Sequence, residues 1–178
     1  GLYENKFGIS QHEFDKLIDI LKKSEHINFI GLHFHIGSQI TRVGEVFALE
    51  CQRVNDIVAY FERNGLKVNN INLGGGLGVD YDDPDEGAIP DFETWFRTIS
   101  ENITRRDDQA VHVEPGRSLV AQCATLISRV LFVKSGETKN FLIMDAGMND
   151  LIRPALYGAY HKIENLSASQ RTFYPTHQ

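Results

Sequence analysis

The spacing of apolar residues alternates along the chain between a helical period and short, continuous β-prone runs. Apolar positions three and four residues apart predict amphipathic helices over residues 10–23, 43–64 and 91–103. Runs rich in Ile, Phe, Val and Leu predict strands over residues 27–36, 68–75 and 110–115. Because strands alternate with helices and look apolar along their whole length, the pattern predicts an α/β fold whose parallel sheet is covered on both faces.

Local signals mark where these helices begin and end. Ser10, with Glu13 three residues later, predicts a capping box at the start of the first helix. Asn64 and Gly65 predict the end of the second helix, and Asp91 predicts the cap of the third.

The pattern changes after about residue 122. Residues 124–136 and 139–146 are longer β-type stretches joined by a turn, which predicts an antiparallel pair of strands. We therefore predict two partial domains, the first over residues 1–122 and the beginning of a β-rich domain over residues 123–178.

Composition narrows the class of protein. The 178 residues are 42% hydrophobic and 24% charged, as in ordinary globular domains. A net charge of -6 argues against nucleic acid or an anionic membrane as a partner, because both select for basic surfaces. Cys51 and Cys123 suggest no disulfide framework and no apolar run could span a membrane, so we predict a cytoplasmic protein. The chain starts GLYENKFGIS and ends QRTFYPTHQ, without an initial Met or a capped final element, and we expect an internal piece of a longer protein.

A polar cluster lies at the C-terminal end of each predicted strand. The clusters are His35-Ile36-Gly37-Ser38, Gly74-Gly75-Gly76-Leu77-Gly78 and Glu114-Pro115-Gly116-Arg117. Active sites of (β/α)8 barrels and open α/β sheets lie at the carboxyl edge of the parallel strands. We therefore expect the three clusters to meet.

The glycine cluster has two interpretations. A backbone without Cβ atoms can approach a phosphate closely and offer N–H groups to it. A tight turn explains the same composition, and the segment is neither a Walker A loop nor a clean dinucleotide-binding fingerprint.

His33 and His35 stand two residues apart, so they would point to the same face of the first strand. A metal held by both would need His, Asp or Glu ligands at other strand ends, where the sequence offers few. We favour one functional ring and one histidine packed in the core, and predict no metal ligands. The hydroxyl of Ser38 could donate to a phosphate.

Glu114 and Arg117 place an acid and a base after the third strand. They could simply pair with each other. Alternatively, the carboxylate could hold a protonated ring nitrogen while the guanidinium binds an oxyanion. A cofactor with a phosphate, an aromatic ring and a ring nitrogen would use all three clusters, and pyridoxal phosphate (PLP) has these groups.

Four motifs resemble one family of enzymes. HFHIGSQ, NLGGGLGVDY and EPGRSLVA resemble motifs of the alanine-racemase-fold (fold type III) pyridoxal-phosphate decarboxylases. MDAGMNDLIRPALYGAYH resembles the diaminopimelate branch of that family. The resemblance covers essentially the whole chain. It implies the C-terminal part of a PLP-binding (β/α)8 TIM barrel, followed by the start of a β-rich domain.

The resemblance also implies roles for individual residues. It assigns cofactor binding to His35, Ser38, Gly75, Gly76, Glu114, Gly116 and Arg117, and substrate binding to Arg117, Arg153 and Tyr157. His35 would stack on the cofactor ring, and Glu114 would pair with the pyridine nitrogen. Arg153 and Tyr157 would grip a second substrate carboxylate, which ornithine lacks. His33 receives no role.

The resemblance implies a homodimeric enzyme that converts an amino-acid substrate, meso-diaminopimelate, to L-lysine and CO2 in lysine biosynthesis. The family's Schiff-base lysine and active-site cysteine segments are not found in this sequence. We therefore assign no catalytic residue and expect the 178 residues alone to be inactive. Three alternatives stay open: a decarboxylase of the ornithine, arginine or carboxyspermidine type, a non-catalytic PLP-binding relative, and a metal-dependent barrel hydrolase that uses His33 and His35.

Overall fold

The computed structural model describes residues 6–85 and 87–168. The two chain ends that suggested an internal piece fall largely on residues 1–5 and 169–178, outside the described residues. The chain forms two compact units. The first unit comprises Gly1–Val79 and Ala88–Val120, and the second comprises Asp80–Gly87 and Ala121–Gln178.

The first unit is built on a parallel three-stranded sheet. Its elements are α1 (Phe14–Lys23), β1 (Gly31–His33), α2 (Val43–Arg63), β2 (Asn70–Asn72), α3 (Phe92–Asn102), β3 (Ala110–His112) and α4 (Arg117–Val120). The strands lie in the order β1-β2-β3, with Leu32 beside Ile71 and Ile71 beside Val111. The predicted α/β alternation is therefore confirmed, although each strand is shorter than the apolar run that predicted it.

Two of the three predicted helix boundaries are confirmed. The Asp91 side chain accepts a hydrogen bond from the Thr94 N–H at 2.9 Å and caps α3. Gly65 follows α2 with a φ of +81°, a left-handed conformation that suits glycine. The predicted capping box at Ser10 is wrong, because its side chain makes no cap hydrogen bond and a 3-10 turn, Gln11–Glu13, precedes α1.

The core of the first unit lies on one face of the sheet. Side chains from α2, α3 and the strands are at most 1% exposed there: Phe47, Cys51, Val54, Phe61, Ile71, Leu73 and Trp95. The alternate strand positions are polar, and His33, Asn72 and His112 form one row across the opposite face. The prediction that both faces are covered is wrong for the described residues. The strands carry a period of two that the apolar appearance of 27–36 concealed.

The second unit contains an antiparallel pair of strands, β4 (Val130–Ser135) and β5 (Asn140–Met144), and the short helix α5 (Arg153–Tyr157). The predicted β pair after residue 122 is therefore confirmed. In the part of the chain that the structure describes, no helix is long and apolar enough to cross a membrane.

Candidate functional site

The structure brings the three polar clusters of the first unit together at the carboxyl ends of its strands. The Ile40 N–H donates to the Gly76 carbonyl oxygen at 2.9 Å, which joins the segment after β1 to the segment after β2. The Glu114 N–H donates to the Gly74 carbonyl oxygen at 2.6 Å and joins the segment after β3 to the same glycines. The predicted convergence is confirmed, because parallel strands in consecutive order end at the same edge.

The glycine cluster combines both interpretations offered by the sequence. A Cβ on Gly75 would overlap the backbone of Glu114, and a Cβ on Gly76 would overlap the carbonyl oxygen of Gly37. Close packing of neighbouring segments therefore requires glycine at both positions. The backbone N–H groups of Gly75 and Gly76 nevertheless donate to no other group among the described residues, which leaves two donors for an anion.

Other polar groups near these glycines are also accessible to a ligand. Ser38 is exposed, and its hydroxyl has no hydrogen-bond partner among the described residues. Gly116 has a φ of +55°, and only the Glu114 carbonyl oxygen, at 3.7 Å, lies near the position of a Cβ there. A Cβ on Gly37 would meet nothing within 4 Å. The loops around Ser38 and Gly116 therefore leave their polar groups accessible to a ligand.

His33 is the last residue of β1 and His35 follows that strand, and both side chains are exposed. The prediction that His33 packs in the core is therefore wrong. The Nε2 atom of His33 lies 3.5 Å from the Glu114 Oε2 atom. The His35 ring lies close to the glycine segment, with its Nδ1 atom 3.1 Å from the position of a Cβ on Gly74. Within residues 6–85 and 87–168, no group of three or more His, Cys, Asp or Glu is arranged to hold a metal ion.

Glu114 and Arg117 do not form the simple ion pair that the sequence left open. The Glu114 Oε1 atom accepts a hydrogen bond from the Asn72 amide at 2.8 Å. The Arg117 Nη1 atom donates to the Gln39 Oε1 atom at 3.3 Å. The Glu114 carboxylate and the Arg117 guanidinium are therefore held by different partners, so each is free to bind a different group of a ligand.

Gln39 and Asn72 are two polar residues of this site that sequence reasoning missed. Gln39 has a φ of +62°, an unusual conformation for a residue other than glycine. Its side chain donates to the Val79 carbonyl oxygen at 2.5 Å and accepts from the Val79 N–H at 3.3 Å, which holds this conformation in place. Both residues lie inside the quoted motifs, but nothing in those motifs reveals the positive φ or the contact across the sheet.

The groups of the first unit fit pyridoxal phosphate. Unpaired backbone N–H groups and a hydroxyl suit a phosphate. The flat ring of His35 suits an aromatic face. A carboxylate suits a protonated ring nitrogen, because opposite charge favours the protonated form.

The second unit holds the predicted substrate residues Arg153 and Tyr157, which lie four residues apart on the short helix α5. The guanidinium of Arg153 lies 5.8 Å from the centre of the Tyr157 ring and 5.7 Å from that of Tyr81. Its Nη2 atom donates to the Tyr81 hydroxyl at 3.3 Å. Arg153 has no carboxylate partner among the described residues, so its charge is available to an anionic ligand. Sequence reasoning missed Tyr81, although it ends the NLGGGLGVDY motif.

His161 stands beside this arginine. Its ring packs edge-on against Tyr81 with centroids 5.8 Å apart, and its Nε2 atom is buried without a hydrogen-bond partner among the described residues. Burial lowers the pKa of His161, and the positive charge of Arg153 lowers it further. The imidazole is therefore neutral near pH 7 and does not repel an arginine that binds a carboxylate.

Comparisons with known proteins agree on one family. Residues 1–121 match the model of the pyridoxal-dependent decarboxylase, pyridoxal binding domain. The chain is 51% identical over 170 residues to diaminopimelate decarboxylase of Bacteroides thetaiotaomicron, which covers 96% of this chain and 44% of the relative. It is 40% identical to the enzyme of that name from Neisseria meningitidis, over 92% of this chain and 39% of the relative. The chain thus spans about two fifths of the length of these curated relatives.

A solved structure shows the same similarity. The crystal structure of diaminopimelate decarboxylase from Helicobacter pylori, complexed with L-lysine, superposes with a TM-score of 0.76 at 35% identity. The match covers 96% of this chain and 41% of that one.

Proposed function

The chain belongs to the pyridoxal-dependent decarboxylase family, and we propose that it is part of an enzyme that converts meso-diaminopimelate to L-lysine and CO2. The family match confirms the pyridoxal cofactor and the resemblance carried by the three motifs within residues 1–121. The resemblance carried by the fourth motif is supported by relatives that match nearly the whole chain. The proposed substrate is supported by relatives that are named diaminopimelate decarboxylase and match nearly the whole of this chain.

We infer that the first unit is the C-terminal part of a (β/α)8 barrel and that a β-rich domain begins near residue 122. Three parallel strands in consecutive order, each followed by a helical segment, support the barrel. The family model ends at residue 121, and the first compact unit ends at Val120, which supports the proposed boundary.

The observation that carries the cofactor assignment is the set of unpaired donors around the glycine segment. The N–H groups of Gly75, Gly76 and Gly116 and the hydroxyl of Ser38 would bind the phosphate, since none donates to another described residue. His35, beside Gly74, would lie against the ring face. These contacts would fix the orientation of the cofactor.

Glu114 and Arg117 would provide the charges that the reaction needs. When bound, PLP supplies a conjugated ring that accepts the electron pair left when CO2 departs. Glu114 would keep a proton on the ring nitrogen, because its carboxylate favours the protonated form. Arg117, whose guanidinium is held by Gln39, would bind an oxyanion of the cofactor or the substrate.

Arg153 would select the substrate. A guanidinium flanked by two tyrosine rings and without a protein carboxylate suits the second carboxylate of diaminopimelate. Tyr157 would contact the same group. A substrate without that carboxylate, such as ornithine, would leave the buried part of the arginine unpaired, and this disfavours the ornithine-type alternative.

We further propose a cytoplasmic homodimer with no nucleic-acid or membrane partner, and that the 178 residues alone are inactive. The absence of a lysine in the family's Schiff-base context supports the last point. A metal-dependent hydrolase finds no support, since the described residues contain no group of ligands for a metal.

The experiment is to express the full-length protein, add PLP and follow CO2 release from meso-diaminopimelate, ornithine and arginine in parallel. We expect turnover of diaminopimelate alone, and none by the 178-residue chain. Replacing Arg153 by Leu should reduce kcat/KM for diaminopimelate between about 10- and 100-fold, as loss of a charge-assisted hydrogen bond does. Arg129→Leu, which removes an exposed arginine of the second unit, is the matched control and should have little effect. Equal turnover of ornithine would contradict the proposed substrate, and binding of PLP without turnover of any of the three substrates would favour the non-catalytic PLP-binding relative.

A further inference from the structure

One face of the first unit's sheet carries a network of polar side chains, and the family resemblance assigns a role to only some of them. The face includes the row formed by His33, Asn72 and His112, and Glu114 follows β3 on the same side. Two contacts reach the Glu114 carboxylate from this face, one from Asn72 and one from His33. The side chain of Glu114 is 55% exposed.

Asn72 is held in a single orientation. Its Oδ1 atom accepts a hydrogen bond from the Gly74 N–H at 2.8 Å. Because this oxygen faces a donor, the amide nitrogen must be the atom directed at Glu114, where it donates to Oε1 at 2.8 Å. One side chain therefore links the glycine segment to the carboxylate after the next strand.

His33 approaches the other carboxylate oxygen. Its Nε2 atom lies 3.5 Å from Oε2, while Asn72 contacts Oε1, so each oxygen has its own nitrogen neighbour. A carboxylate has about four acceptor positions, so both contacts leave room for a further donor. The backbone of Glu114 is fixed as well, through its N–H bond to Gly74.

From these contacts we propose that Asn72 and His33 are positioning residues that orient the Glu114 carboxylate toward the ring nitrogen of the cofactor. This inference rests on the proposed function, in which Glu114 pairs with that nitrogen. A free glutamate side chain samples several rotamers and must lose that freedom when it binds its partner. Two nitrogen neighbours, of which Asn72 is itself held by the Gly74 N–H, restrict it before the cofactor arrives, and this is how a supporting residue strengthens an active-site contact.

The test uses the full-length protein and three substitutions on the same sheet face. His33→Phe removes the nitrogen and keeps a flat ring. Asn72→Ser shortens the side chain and removes the hydrogen bond to Glu114. It keeps a hydroxyl oxygen that can accept a hydrogen bond from the Gly74 N–H, two residues later in the chain. His112→Phe is the matched control, because His112 bonds to Asn70 and not to Glu114.

Each variant is made with Glu114 intact and with Glu114→Gln, and three quantities are measured. These are the dissociation constant of PLP from the apoenzyme, the visible absorption of the bound cofactor, and kcat and KM. With Glu114 intact, His33→Phe and Asn72→Ser should each weaken PLP binding and lower kcat about fivefold, with KM for substrate unchanged. In the Glu114→Gln background the same changes should have little further effect, while His112→Phe should act equally in both backgrounds.

A fourth measurement needs no cofactor. In the apoprotein, Glu114→Gln should shift the NMR signal of the His33 ring nitrogen and leave that of His112 in place. His33→Gln, which restores a donor, should recover part of the PLP affinity lost in His33→Phe.

The outcomes separate the positioning proposal from the proposed function. Equal losses in both Glu114 backgrounds, or an unshifted His33 signal, would overturn the positioning proposal while the enzyme still bound PLP and turned over diaminopimelate. If Glu114→Gln itself changed neither the cofactor spectrum nor PLP binding, the role of Glu114 would fail and the positioning proposal with it.

Discussion

Glu50 is the most unfavourably placed charged residue in the core of the first unit. It lies on the buried face of α2 with 4% of its surface exposed, and neither carboxylate oxygen has a hydrogen-bond partner among the described residues. Burial raises the pKa of its carboxyl group from 4.5 to about 7. The folded protein therefore binds this proton more tightly than the unfolded chain does.

The size and pH dependence of the cost follow from this shift. A rise from 4.5 to about 7 corresponds to about 3 kcal/mol of lost stability when the group must be ionised. The cost is absent below the unfolded pKa, grows as the pH rises from 4.5 to about 7, and is complete above that value. Stability should fall with rising pH across this window.

We predict that Glu50→Met, which keeps the length of the side chain and removes its charge, stabilises the protein. The free energy of unfolding should rise by about 3 kcal/mol near pH 8, and this gain should exceed the gain near pH 5 by about 2 kcal/mol. Urea unfolding at a series of pH values measures both quantities. Glu45→Gln is the control, because Glu45 lies exposed on the same helix beside Arg42 and should show little pH-dependent change.

A gain that does not vary with pH would refute this reasoning. It would mean that Glu50 finds a hydrogen-bond donor in solution.

Three further predictions concern the glycine segment, a helix cap and the cysteines. Gly75→Ala should destabilise the protein by about 1–3 kcal/mol in thermal or urea unfolding, because its Cβ would overlap the Glu114 backbone and force the strands apart. Asp91→Asn should make the stability of the protein less sensitive to acid. The Thr94 N–H lowers the pKa of the Asp91 carboxyl group below 3.8. The stabilisation by the ionised carboxylate is therefore complete above that value and is lost as the pH falls through the lower pKa of the folded state. Alkylation of the folded protein should modify exposed Cys123 and spare Cys51, whose pKa burial raises to about 11; equal labelling by mass spectrometry would contradict this.

Much of the first unit could be predicted from the sequence, because the relevant signals are local. The bounds of α2 follow from its apolar period and from the glycine at position 65. Asp91 was predicted to cap α3, and its side chain does so. The antiparallel pair of strands after residue 122 was predicted from two β-type stretches and the turn between them. The convergence of the three clusters followed from their position at the carboxyl ends of strands predicted to be parallel.

Features that depend on packing between distant residues could not be predicted. The apolar residues of 27–36 suggested a strand buried on both faces, but the packing of the core against one face of the sheet leaves His33 and His35 exposed. The proposed capping box failed because Ser10 precedes a 3-10 turn, Gln11–Glu13, rather than the helix, and its side chain makes no cap hydrogen bond.

The sequence by itself determined the three long helices, their alternation with strands, the residue types at the strand ends and the family to which they belong. The tertiary structure decided which atoms meet: Asn72 with Glu114, Arg117 with Gln39, and Arg153 with Tyr81. The physical reason is range. Helical period, caps and turns are set by neighbours within a few residues, whereas these contacts join residues 42, 78 and 72 positions apart and exist only once the chain has folded to bring them together.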